Sequence, residues 1–169
     1  MVTIPAPVLY SQAIILKTDV MVAPMTFSYS GPKVSALVKN FKKHLALSLA
    51  LPEEEIREYN YSISRKEKEQ ISAEYKITKI IDSYSYYLFE TSFSAEMDLE
   101  GNGSFNSSFK VTIFTEFPKV TFFQRSIFYD IWRTLFLKFH YESVLRKYKE
   151  EGLRIIKNII DALNNEVKV

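Results

Sequence analysis

The sequence predicts an α+β domain: a curved antiparallel meander sheet of five or six strands packed on a long C-terminal helix, with one or two helices after the first strand. Three observations lead there. Between Tyr84 and Phe117 apolar residues recur at odd positions: Tyr87, Phe89, Phe93, Ala95, Met97 and Leu99, then Phe105, Phe109, Val111 and Ile113. Side chains alternate across a strand, so this period of two describes a hairpin with one buried face. Val34, Leu37, Val38, Phe41, Leu45 and Leu49 instead follow the three-and-four spacing of a helix. After Pro118 the period changes to about 3.6 and stays there to the end of the chain.

Residues 1–23 read as an N-terminal arm or extra edge strand, with Val8 to Lys17 as the strand, ahead of one α+β domain over 24–169. Thr26 to Ser30 is the first strand of that domain. Ser30-Gly31-Pro32 looks like a helix start, with a capping serine or glycine and proline in the first turn. Leu51-Pro52 ends the helix, and Pro52-Glu53-Glu54-Glu55 opens a short second one, with acids at the positive end of its dipole.

Tyr59 to Ser64 and Ile71 to Ile81 are the next strands, joined by the charged turn Arg65 to Glu69. Parity then sets the pairing, because facing residues of an antiparallel pair lie on the same side. Strands 71–81 and 84–99 both bury odd positions, so Asp82, Ser83 and Tyr84 form the loop and Lys79 faces Tyr87. The hairpin needs a loop of odd length, either Gly101-Asn102-Gly103 with Gly103 left-handed or Glu100 to Ser104. That sets Leu99 opposite Phe105, Met97 opposite Ser107, Ala95 opposite Phe109 and Phe93 opposite Val111.

The last segment carries Ile127, Phe128, Ile131, Trp132, Leu135, Phe136 and Phe139 on one face, continued by Val144 to Leu163. Unbroken, residues 122–165 would run about 65 Å at ~1.5 Å per residue, so a bend, a break near Gly152 or an overhang is expected.

This order of elements resembles the START-like, helix-grip superfamily. The resemblance rests on the strand Phe27 to Ser30, the Gly31-Pro32 helix start, the hairpin with Gly101 and Gly103, and the helix after Pro118. It covers about residues 24–165. It implies a sheet wrapped around the final helix with an apolar cavity between them. Members include lipid and hormone binders and cyclases, so fold alone does not assign a role.

Composition narrows the chemistry. At 47% hydrophobic and 15% aromatic the chain is not a disordered one. No cysteine means no disulfide, thiolate nucleophile or zinc–cysteine site. The two histidines, His44 and His140, lack metal-ligand spacing and read as helix-boundary or surface residues. No metal or cofactor is expected, and no phosphate-loop or dinucleotide fingerprint is present. A net charge of +2 gives no reason to expect nucleic acid. Basic residues along the last helix are interspersed with Asp130, Glu142, Glu150, Glu151 and Asp161, the pattern of a solvated face. No signal peptide is expected, since the first basic residue is Lys17, and no transmembrane segment, since charges interrupt Phe122 to Phe139. A cytoplasmic protein of thermophile-like composition fits these features.

Two functions follow as expectations. The first is a non-catalytic module that binds a hydrophobic small molecule between sheet and final helix. Its cavity would be lined by Tyr75, Tyr87, Thr91, Phe93, Ser107, Phe109, Thr115, Phe128, Trp132 and Phe136. The second is a structural or interaction domain that forms homo-oligomers through Ile155, Ile156, Ile159, Ile160 and Leu163, which are more apolar than an exposed tail should be. An enzyme is the least expected, because no acid–base pair is visible.

Overall fold

The computed structural model describes residues 20–21, 24–65, 68–83, 85–115, 131 and 134–168. Its strands are β1 (Val20–Met21), β2 (Met25–Gly31), β3 (Glu58–Arg65), β4 (Glu69–Ile80), β5 (Ser85–Met97) and β6 (Gly103–Thr115). Helix α1 (Val34–Leu49) follows β2, and a 3-10 turn, Glu53–Glu55, precedes β3. Near the C-terminus a π-helical turn, Phe136–Tyr141, leads into α2 (Glu142–Lys168). The strand proposed for Val8 to Lys17 lies outside the described residues.

One open antiparallel sheet results, in the order β6, β5, β4, β3, with β1 and β2 both paired to the free side of β6. The odd positions of β4, β5 and β6 are buried, as their alternation requires. Lys79 faces Tyr87, as parity demands. Both helices pack on the odd-numbered face and against each other.

The hairpin keeps its expected faces but not its expected register. Ala95 faces Phe105 and Phe93 faces Ser107, with Met97 opposite Gly103. The cause is Asp98. Its carboxylate accepts the N–H groups of Glu100 and Asn102, both at 2.9 Å, and so closes an earlier loop, Asp98 to Asn102. Those bonds, the Asn102 N–H foremost, hold the carboxyl below the usual range. Gly101, with φ 82°, takes the left-handed position expected of Gly103. Leu99 is left exposed at the tip instead of facing Phe105.

Three further expectations change. Ser30 and Gly31 belong to β2, so α1 begins later, with Lys33 as its cap residue. No side chain caps it; the carbonyl of Gly101 accepts the Ser35 N–H at 3.4 Å, which docks the hairpin loop on the helix. His44 is not at a helix boundary. It lies inside α1, where His44 Nε2 sits 3.2 Å from Glu166 Oε2 and Asn40 Nδ2 donates to Glu166 Oε1 at 2.7 Å. These contacts tie the far end of α2 to α1.

Gly152 does not break the last helix, which runs through it. It is buried against β5 and β6; a methyl group there would stand 3.3 Å from Val111 Cγ1 and 3.5 Å from Tyr87 Cε1. The glycine therefore allows close helix–sheet approach. Gly152→Leu is expected to cost about 1–3 kcal/mol by overpacking, read as a lower urea midpoint at unchanged slope. A larger side chain tolerated without loss would show that the approach is not tight.

Candidate functional site

The part of the sheet under α2 is covered by this chain's own side chains, whereas most of 122–140, the segment expected to close a cavity, lies outside the described residues. Ile155, Ile156, Ile159 and Leu163 are buried in the core, and Ile160 packs against it. Their apolarity is accounted for by packing within one chain, which corrects their assignment to an intermolecular interface. Tyr87 lies in the same layer. Its hydroxyl donates to the Tyr148 carbonyl oxygen at 2.8 Å.

The polar residues of the inward face divide into two pairs. Ser85 Oγ and Thr115 Oγ1 lie 3.4 Å apart and satisfy each other. Thr91 Oγ1 and Ser107 Oγ are buried and make no hydrogen bond among the described residues. An unmade bond of this kind costs about 1–3 kcal/mol. Phe109 is buried beneath α1, its ring 6.1 Å from that of Phe41. None of Tyr87, Thr91, Ser107, Phe109 and Thr115 lines the groove described next. Phe128 and Trp132 lie outside the described residues, as does the Phe136 side chain.

A concavity opens on the same face of the sheet, toward its β3 edge. A groove of about 1020 Å³ runs between the N-terminal half of α1 and the β3–β4 hairpin, closed at one end by the Asp98–Gly101 loop. Tyr61, Ile63, Ile71, Tyr75, Phe93 and Met97 form its apolar floor. Of the residues expected to line a cavity, the structure therefore brings Tyr75 and Phe93 to it.

The charges around this floor are unevenly satisfied. Glu69 accepts a 2.8 Å bond from Arg65, and Glu58 one from the Tyr75 hydroxyl at 3.3 Å. Asp98 is held by its loop, and Glu100 receives Asn102 Nδ2 at 3.4 Å. Lys68 reaches Glu96 at 2.7 Å. By contrast Lys39 and Lys42, both in the α1 wall, have no acidic partner among the described residues. The groove thus joins an apolar floor to two cations that have no ion-pair partner among the described residues, beside three carboxylates, Glu58, Asp98 and Glu100, that are hydrogen-bonded by neutral donors and keep their charge.

Sequence reasoning missed Lys39 and Lys42 because they fall between the apolar positions of the 34–49 helix and so carry no sign of what they overhang. It missed Tyr61 and Ile63 as lining residues because alternation does not show which strand is the edge. That β3 is more exposed than its neighbours follows from its place at the end of the sheet.

A second polar cluster joins α2 to the β4–β5 loop. Tyr148 donates its hydroxyl to Asp82 Oδ2 at 2.5 Å, and Asp82 Oδ1 accepts the Ser85 N–H at 2.7 Å. Burial, then the Asp82 carboxylate, pushes the Tyr148 phenol up to about 12. Burial raises Tyr75 and Tyr87 as well, helped by Glu58 and Glu151 respectively. A raised folded value means that the unfolded chain loses its phenolic protons first. Stability is therefore fully present below about pH 10 and falls as pH rises toward the folded value. Urea titrations in that alkaline window are expected to show this fall, with a shallower slope for Tyr148→Phe. Stability independent of pH there would contradict the assignment.

No protein-family model matches the chain, and no curated protein matches it in sequence. Among the described residues no helix is long and apolar enough to cross a membrane.

Proposed function

We propose that this chain is a non-catalytic binding module of the helix-grip type, and that its ligand is an amphipathic anion with an apolar body and an acidic head. The ligand lies in the groove between α1 and the β3–β4 hairpin rather than under the final helix. The observation that carries this reading is the pairing of a six-residue apolar floor with Lys39 and Lys42, neither of which has an ion-pair partner among the described residues. A groove of about 1020 Å³ is of the size that takes such molecules. An apolar chain on Ile63, Tyr75 and Phe93 would gain from leaving water, and the head would meet charge-assisted donors on α1. The run of sheet, helix, meander and long final helix supports the helix-grip relationship.

A second reading, an interaction domain that associates through its C-terminal helix, draws on a different observation. Ile131, Leu135 and Phe139 recur at four-residue spacing and are 51%, 50% and 73% exposed. This is an apolar helical stripe directed at solvent.

Calorimetric titration with dodecanoate and with dodecanol tests the first reading. Dodecanoate is expected to bind more tightly, and the double variant Lys39→Gln/Lys42→Gln to lose roughly tenfold in dodecanoate affinity, about 1.4 kcal/mol, with dodecanol unchanged. Failure of dodecanoate to bind, or equal loss for both ligands, would overturn it.

A further inference from the structure

β3 ends the sheet, and among the described residues nothing pairs with its outer edge. Edge strands of proteins that stay single are blunted by charges, proline or bulges. Between Asn60 and Ser64, β3 has none of these: the residues are Asn60, Tyr61, Ser62, Ile63 and Ser64, and the one bulge precedes Asn60. Tyr61 is 52% exposed and Ile63 46%. The charges sit at opposite ends of the strand and have opposite sign, Glu58 at one and Arg65 at the other.

We propose that β3 pairs antiparallel with β3 of a second copy of this chain, joining two sheets into one. A two-fold axis perpendicular to the sheet keeps both helix-bearing faces on the same side. Facing residues must then share a face. An axis through Ser62 satisfies this. It sets Tyr61 opposite the partner's Ile63, and Ile63 opposite the partner's Tyr61, two aromatic–aliphatic pairs of the kind that stabilises sheets. Asn60 faces the partner's Ser64 on the other side. Arg65 arrives beside the Glu58 end of the partner, so unlike charges meet at both ends.

An axis through Tyr61 serves less well. It would set Ile63 against the partner's Tyr59, and the bulge turns Tyr59 to the opposite face, where the Lys76 ammonium lies 4.5 Å over its ring. The complementarity belongs to the strand itself, which is why a second copy is the occupant. Because Tyr61 and Ile63 also floor the groove, the two grooves meet across the joint. The pairing stands whether or not the groove takes an anion.

Sedimentation equilibrium of the full chain, with three variants, decides the matter. The wild type is expected at twice 19.7 kDa. Ile63→Lys, which places a charge at an exposed position, is expected at the monomer mass while keeping the circular dichroism spectrum of the folded chain. The chain has no cysteine, so Ser62→Cys supplies a single thiol that faces its own copy across the axis. Mild oxidation should link it into a dimer, while Ser94→Cys, exposed on the inner strand β5, should stay unlinked. A wild type that remains monomeric, a dimer that survives Ile63→Lys but is dissolved by Leu135→Glu, or equal crosslinking of the two cysteine variants would overturn the proposal.

Discussion

The ring of Phe41 is the contact on which this fold depends. It projects from the middle of α1 onto the inward faces of three strands, with ring centroids 4.8 Å from Phe93, 5.8 Å from Tyr75 and Phe105, and 6.1 Å from Phe109. Phe93 and Phe105 stack on each other at 5.4 Å. Five aromatic rings held at such spacings gain both burial and favourable ring geometry. An open sheet with one apolar face cannot persist in water unless something covers that face. Phe41 places α1 over one part of it, and the residues around Gly152 place α2 over another.

The groove is a consequence of how far these helices reach. α1 packs on β2, β4, β5 and β6, and α2 on β6 and α1, so among the described residues no helix packs closely on the inward side of β3. Tyr61 and Ile63 follow the parity of the buried residues yet are exposed, because they lie beyond the edge of the cover. The same geometry accounts for the apolar floor, for the lysines that overhang it from α1, and for the unpaired edge beside it. Burial at one end of the sheet and an exposed apolar surface at the other are two outcomes of one incomplete cover.

Much of this was legible in the residues. Period two over 84–117 and period 3.6 over 34–49 and beyond Pro118 carry direct information about which side chains share a face. Parity then settled the loop before Ser85 correctly, since both flanking strands bury odd positions. Parity does not set absolute register, however. The choice between loops of equal parity fell to the Asp98 carboxylate, whose capping of backbone N–H groups is not a matter of hydrophobic pattern. The clasp of Asn40 and His44 on Glu166 was hidden for a similar reason: its partners are more than a hundred positions apart. Ile155 to Leu163 read as too greasy for a tail, and so they are; what the pattern could not say is that their partners lie in the same chain. Of the candidate lining, Tyr75 and Phe93 reached the groove because they lie on β4 and β5, toward the β3 edge, while Ser107 and Phe109 lie on β6, farther from it.

The most direct test of this account is the unfolding free energy of Phe41→Ala, measured in urea beside Leu47→Ala on the exposed side of the same helix, where Leu47 is 69% exposed. If Phe41 seats α1 on the sheet, its removal costs about 3–5 kcal/mol, while Leu47→Ala stays within about 0.5 kcal/mol of the parent. Similar small losses for both variants would mean that the helix is held elsewhere, and that the aromatic layer is not what closes the fold.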